Sequence, residues 1–344
     1  MKSEKILKRS LISIVFFTIF VSVVFYFIFK ENNLLEIINI FKNSNKIYLI
    51  IAIICMSLFS VCEALNLKTA FTLFKDKVKF FDCYKYALSG YFICSITPSS
   101  AGGDPVQFYL MTKDKISISH GAIVLLTKLL AFQLVTILLA AISFLLSRNI
   151  FSSFGNLKYL IYLGIFLNFL VFTTYILVIF YKKIVMFLVE KFTNLLLKFK
   201  YKNALELKEK LYLQVDEYQH AATILKKNKL VFLRIVLITI IQMLLYYSIP
   251  YFVYLALGLN GANVFSFISI QAVLFVSVSS LPFPGAVGIT ETAFMHLYKN
   301  LFTENLLGSA MVITRFINFY IFVFYSGIMF LIFMIKDNLK KRDT

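Results

Sequence analysis

Long uncharged runs alternate along this chain with short charged stretches, and the runs set its elements. Leu11–Phe29, Tyr159–Tyr181 and Phe316–Ile335 carry no charged side chain, and Ile47–Cys62 is equally clean up to Glu63. Ile235–Thr290 continues for 56 residues without one, too long for a single helix. Crossing the hydrocarbon of a bilayer takes about 20 apolar residues in a helix. The pattern predicts six full membrane helices, over 11–29, 47–65, 119–147, 158–181, 230–257 and 306–335.

Two further apolar stretches are predicted to enter the membrane without crossing it. Asp82–Thr97 ends at Pro98-Ser-Ser-Ala-Gly-Gly-Asp-Pro105, and the following Val106–Met111 is too short to span before the Lys113-Asp-Lys115 turn. Val264–Leu281 ends at Pro282-Phe-Pro-Gly-Ala-Val-Gly-Ile-Thr-Glu291, followed by a short piece to Tyr298. Both read as re-entrant hairpins, 81–111 and 264–298, each broken by proline and glycine at membrane depth. Such breaks are tolerated only where protein or a polar cavity surrounds them.

These elements fall into two matching halves, 1–150 and 151–344, with every direction reversed. In the first, a helix outward (11–29) precedes an amphipathic stretch (34–42), a helix inward (47–65), a hairpin and a helix outward (119–147). In the second, a helix inward (158–181) precedes the cytoplasmic segment 182–229, a helix outward (230–257), a hairpin and a helix inward (306–335). The fold class expected is therefore an all-α polytopic membrane protein built as an inverted-topology repeat, with its site near mid-bilayer.

Composition agrees: 60% of the 344 residues are hydrophobic, 15% are charged, and mean hydropathy is +0.83. The net charge of +18 would suit nucleic acid, but the cations sit in loops beside membrane segments. Loops assigned to the cytoplasm carry 25 Lys and Arg against 6 on the outer ones, the bias that insertion with positive loops inside produces. No nucleic-acid partner is expected. The basic start before Leu11 resembles a signal peptide, but the apolar run is too long for one and no small-residue cleavage site follows. Cys55, Cys62, Cys83 and Cys94 show no ligand spacing, and His120, His220 and His296 are scattered, so neither a metal nor a disulfide is expected. No nucleophile–base pair, Walker motif or dinucleotide fingerprint is present, so no catalytic residue and no cofactor is assigned.

Candidate chemistry lies at the breaks. Each break ends in a carboxylate, and each following helix carries a cation inside its apolar run, 24 residues on in both halves: Asp104 to Lys128 and Glu291 to Arg315. A charge at the bilayer centre costs roughly 2.5–3.5 kcal/mol on insertion scales, so all four are expected to face one polar interior. Gly102, Gly103, Gly285 and Gly288 let backbone approach a ligand or simply make the turns. Ser99, Ser100 and Thr290 complete the substrate-binding set. Asp104 before Pro105 is expected to N-cap a half-helix, with Thr290 in the same part in the second half and Glu291 in the first turn. Such half-helix N-termini suit a phosphate or carboxylate. Lys128 and Arg315 can be anion ligands or structural partners of the carboxylates. Glu63 is expected at the cytoplasmic, interfacial end of its helix. Tyr246, Tyr247, Tyr251 and Tyr254 near Pro250 read as an aromatic belt at a proline kink. Residues 184–199 suit a helix lying on the inner leaflet, and 203–227 a solvated helix or connector.

The segment Thr97-Pro-Ser-Ser-Ala-Gly-Gly-Asp-Pro105 with Lys128, and Leu281-Pro-Phe-Pro-Gly-Ala-Val-Gly-Ile-Thr-Glu291 with Arg315, resemble the two motifs of the lysylphosphatidylglycerol synthase/flippase membrane region. The resemblance spans about residues 10–335. It departs at Thr127-Lys128, where members often carry Glu-Arg. It implies a stand-alone translocating half without the soluble synthase domain: a flippase for a phospholipid, aminoacylated or not, or for a lipid-linked headgroup, in the cell membrane with both termini cytoplasmic. A role in lysylphosphatidylglycerol metabolism and antimicrobial peptide resistance goes with that family. The alternatives are a lipid-modifying transferase of the phosphatidylglycerol lysyltransferase type, a membrane subunit of one, or a small-solute transporter. The partners implied are a membrane phospholipid and a separately encoded lipid synthase or transferase; the oligomeric state is left open.

The orientation is testable. In a chain lacking the native cysteines, Asn260→Cys should react with an impermeant maleimide on intact cells. Protection there, with reaction in inside-out vesicles, would overturn the proposed topology.

Overall fold

The computed structural model describes residues 34–74, 76–97, 102–146, 157–198, 204–279, 281 and 284–340. The predicted first membrane helix (11–29), Ser99 and Ser100 lie outside these residues.

Helices follow the apolar runs. Five described helices are long and apolar enough to span a membrane: Lys46–Phe71, Ile118–Leu146, Ile161–Phe180, Lys229–Ala256 and Glu304–Lys336. The chain is an all-α polytopic membrane protein. In chain order the elements are α1 (Leu34–Asn43), α2 (Lys46–Phe71), α3 (Phe80–Ile96), α4 (Gly103–Lys113), α5 (Ile118–Leu146), α6 (Leu157–Phe180), α7 (Lys182–Lys198), α8 (Ala204–Lys227), α9 (Lys229–Ala256), α10 (Val264–Val278), α11 (Ile289–Leu297), α12 (Glu304–Arg315) and α13 (Ile321–Lys340). A π-helical turn, Phe316–Tyr320, joins the last two. Asn45 starts α2 by accepting the Ile47 N–H, and Asn263 starts α10 through Phe265, both at 3.0 Å. α9 continues through Pro250, where the sequence suggested a kink.

The two predicted hairpins are the pairs α3/α4 and α10/α11. Each pair is tied by a tyrosine near its base. Tyr86 Oη donates to Asp114 Oδ2 at 2.7 Å, beside Lys85 at 2.6 Å, and Tyr298 Oη donates to Gln271 Oε1 at 2.8 Å. The central feature is α2 against α9, the most extensive helix pairing among the described residues. Neighbour relations recur around it: α3 packs on α2 and α13, while α10 packs on α9 and α5. The largest apolar core joins α2 with α9, α10, α11 and α12, through Leu49, Met56, Ile249, Val253, Phe267 and Phe294 among others.

In lipid, helices gain little from apolar contact alone, so close backbone approach and buried amides do more of the holding. Gln133 of α5 donates from Nε2 to the carbonyl (2.9 Å) and Oδ1 (2.5 Å) of Asn168 on α6. Asn168 Nδ2 donates in turn to Val276 O of α10 at 2.9 Å. Gly164 makes that junction possible, because a Cβ there would sit 2.5 Å from the Ser277 Cα and the Val276 carbonyl oxygen.

α8 corrects an expectation. It is no bare solvated connector: Tyr218, Ala221, Ala222 and Leu225 are buried against a core that includes Leu73, Ile123 and Ile179, and Val215 is buried as well. Tyr218 Oη also donates to Val178 O at 2.9 Å.

Gly164→Val should therefore destabilise the fold by roughly 1–3 kcal/mol, because backbone has to move to admit the side chain. Gly308, where a Cβ meets nothing within 4 Å, is the control. Gly308→Ala should leave thermal unfolding in the same detergent almost unchanged.

Candidate functional site

The first break is built around an ammonium group. Lys128 lies in the apolar middle of α5, with its side chain only 6% exposed. Its Nζ lies 2.8 Å from Glu63 Oε1 and 3.4 Å from Asp104 Oδ1, and donates to Gln107 Oε1 at 3.1 Å. Asp104 and Gln107 are three residues apart on α4 and so share a face. Glycine brings that face within reach. A Cβ on Gly103 would sit 2.1 Å from Cys94 Sγ, and one on Gly90 would sit 2.1 Å from Gln107 Nε2. A Cβ on Gly103 would also sit 2.7 Å from the Gly90 carbonyl oxygen, so α3 and α4 cross too closely there for any side chain, while at Gly90 the atoms met belong to the Gln107 side chain.

Glu63 is held from its other side. Gln242 Nε2 of α9 donates to Glu63 Oε2 at 2.9 Å, and Asn66 Nδ2 donates to Gln242 Oε1 at 3.0 Å and Thr239 Oγ1 at 3.1 Å. The expected place of Glu63 at the end of its helix is thus corrected. It lies well inside the 26-residue α2, and it is the shortest charged contact of Lys128.

The second break is built around a guanidinium. Arg315, with a side chain 5% exposed, donates from Nε to Glu291 Oε1 at 2.7 Å and from Nη2 to Gly285 O at 3.2 Å. The other oxygen of Glu291 accepts the Gly288 N–H at 2.7 Å, so one carboxylate caps α11 and pairs with Arg315. Arg315 Cζ also lies 4.6 Å from the Phe319 ring centroid. Gly285 has φ +56°, and a Cβ there would sit 2.3 Å from that ring, so glycine is needed for space as well as conformation. Gly288, at φ +86° with nothing within 4 Å of a Cβ, is needed for conformation alone.

The structure therefore brings Asp104 to Lys128 and Glu291 to Arg315, the pairs picked out by their equal spacing. Their capping roles differ from expectation. Asp104 follows the first residue of α4, and its carboxylate turns to Lys128; Gly102 stands at the N-cap. Thr290 lies inside α11 and donates to Ala286 O at 2.9 Å, while Gly288 is the N-cap. For Asp104 the ion pair with Lys128 takes precedence over a cap worth about 1 kcal/mol. Sequence reasoning missed Glu63, Asn66, Gln107 and Gln242. The signal was there as polar side chains inside apolar runs, a class that faces a bundle interior when it occurs within the membrane.

The two groups differ in charge: two carboxylates face one ammonium at the first break, and one carboxylate faces one guanidinium at the second. Both offer hydrogen-bonding and ionic partners to a polar group inside an otherwise apolar body.

The family model described as the lysylphosphatidylglycerol synthase TM region matches residues 10–326. A relative described as a UPF0104 membrane protein, from Archaeoglobus fulgidus, is 26% identical over 311 residues, which cover 89% of this chain and 92% of the relative.

Removing one partner of a buried pair should show the coupling. Lys128→Met leaves two carboxylates facing each other and should cost roughly 3–5 kcal/mol. Adding Glu63→Gln should restore part of that loss, read as unfolding in the same detergent. Equal stability of the single and double variants would mean that Glu63 does not sense Lys128.

Proposed function

Since this chain belongs to the family of the lysylphosphatidylglycerol synthase transmembrane region, we propose that it is a membrane lipid translocase. It moves a phospholipid, aminoacylated or not, or a lipid-linked headgroup between leaflets. The observation that carries the reading is the pair of charged groups built at the two helix breaks, Glu63–Lys128–Asp104 and Glu291–Arg315, in a body otherwise apolar enough to span the membrane. A phospholipid headgroup needs such partners only if it leaves the interface and enters the bilayer.

On this reading the acyl chains stay in lipid while the headgroup passes between the hairpins. Lys128 and Arg315 face its phosphate, and Asp104 and Glu63 face any amine. Asp104 is the exchangeable partner of Lys128, because its contact is the longer, 3.4 Å against 2.8 Å, and its side chain is 35% exposed against 19% for Glu63. The two groups form one passage across the face of α3. Tyr91 and Cys94 are one turn apart there: a Cβ on Gly103, beside Asp104, would meet Cys94 Sγ, and Tyr91 Oη donates to Asn318 O at 3.1 Å, three residues after Arg315.

The recurring neighbour relations support an inverted repeat of 1–150 and 151–344, with α2 and α9 at its pseudo-two-fold axis. Rocking of one half against the other then supplies alternating access. The cation bias of the loops supports both termini in the cytoplasm and a site in the cell membrane.

The test is reconstitution into liposomes, with leaflet-specific detection of several fluorescent or chemically reactive phospholipids. Lys128→Gln and Arg315→Gln should each slow movement roughly tenfold or more per folded molecule, the loss expected for one charge-assisted hydrogen bond to phosphate. Unchanged transport in both variants would remove the cations from the mechanism. Transfer of an aminoacyl group from charged tRNA to phosphatidylglycerol by the purified chain would favour the transferase instead.

A further inference from the structure

α7 has two faces of different fate. One packs on α8 and α6, with Thr193 buried and Val185 against the core beneath α8. The other carries Phe187, Leu188 and Phe192, which are 55%, 49% and 51% exposed. These three share a face at helical spacing, and Lys191 shares it too, its Nζ 5.4 Å from the Phe187 ring centroid. Lys183, Glu190 and Lys198 are exposed beside them.

Where the helix sits follows from its junction. Only Tyr181, 56% exposed, separates α7 from α6, whose Ile161–Phe180 stretch is one of the candidate spans. A helix that begins where a span ends begins at headgroup depth, and an exposed tyrosine is the residue usual there. An amphipathic helix at that depth lies in the plane of the interface with its apolar face among the upper acyl carbons. Lysine suits the edge of such a face, because its methylene stem stays with the lipid while the ammonium reaches the headgroups. α7 has four lysines, Lys182, Lys183, Lys191 and Lys198, against the single Glu190. The headgroup layer complementary to that balance is acidic.

We propose that α7 is a binding site for anionic phospholipid headgroups in the leaflet at the C-terminal end of α6, separate from the charged breaks. A second copy of the chain is a poorer occupant of this face. It would bring the same lysines into apposition, and three large side chains fall well short of the roughly 800 Å² per partner of a stable interface. A neutral lipid surface accounts for the phenylalanines and leaves the lysines unused. The inference requires a membrane protein but not a translocase.

The chain contains no tryptophan, so one introduced tryptophan is a unique reporter. Full-length Phe192→Trp protein is reconstituted into vesicles of equal parts phosphatidylcholine and phosphatidylglycerol, with bromines on the acyl chains of one lipid or the other. Brominated phosphatidylglycerol should quench the tryptophan roughly twofold or more as strongly as brominated phosphatidylcholine, because acidic lipid is enriched beside the lysines. Lys183→Gln, Lys191→Gln and Lys198→Gln together should bring the two quenchers level. Equal quenching with the lysines intact would overturn the proposal. So would a tryptophan that neither lipid quenches, which would show the face covered by protein or by water. Leu188→Trp repeats the test from the same face if Phe192→Trp unfolds, thermal unfolding being recorded for each variant. The readout is lipid proximity, so its failure leaves the translocase reading standing, and loss of transport leaves this one standing.

Discussion

An ammonium group inside a membrane-spanning helix has to be neutralised within reach of its own side chain, and the surroundings of Lys128 follow from that constraint. Three acceptors converge on it from two other helices: Glu63 from α2, and Asp104 and Gln107 from α4. Bringing α4 that close sets Gly103 against the Gly90 carbonyl, hence glycine at Gly103, while a Cβ on Gly90 would crowd the Gln107 side chain that reaches Lys128. Holding Glu63 requires Gln242 and Asn66, and those amides in turn tie α2 to α9 along the most extensive pairing among the described residues. One buried cation thus accounts for two glycines, three amides and part of the central helix contact.

The second half meets the same constraint differently. Asp104 to Glu291 and Lys128 to Arg315 are each a step of 187 residues, and the same step carries Glu63 to Pro250. The position matching Glu63 is thus a proline, and among the described residues Arg315 is ion-paired with Glu291 alone. A guanidinium needs less help than an ammonium, because its donors are spread over a plane. Arg315 divides them between Glu291 and the Gly285 carbonyl, with the Phe319 ring against its face. Glu291 and Gly285 belong to the second hairpin and Phe319 to the turn following α12, so this pair is closed within its own half. Lys128, by contrast, is bound to the central pair α2/α9 as well as to its hairpin.

Much of this was legible in the sequence, because charge is scarce in an apolar chain. Uncharged runs located the spans, proline and glycine located the breaks, and equal 24-residue spacings selected the two ion pairs. What escaped had a physical cause. Glu63 stands where its uncharged run stops, which reads as an interface, although the helix runs on to Phe71. The amides Asn66 and Gln242 contact partners more than 170 positions away, a pairing that no local pattern encodes. The caps misled because Asp and Thr before a helix favour that role only when nothing stronger competes, and Lys128 competes for Asp104. α8 looked solvated because its buried stripe of small and aromatic residues is diluted by charge on the other faces.

The difference between the halves bears on what can move, on the reading that headgroups pass between the hairpins. A buried charge that loses its partner is costly unless a new one arrives at once. At the second break both oxygens of Glu291 are already engaged, one by Arg315 and one by the Gly288 N–H, so a headgroup entering there has to displace two contacts together. At the first break Lys128 can release Asp104 and keep Glu63, so a phosphate or an amine can enter one contact at a time. Exchange is therefore easier at the first break. Glu63, anchored through Gln242 to α9, is the counter-ion that keeps Lys128 neutralised while that exchange takes place.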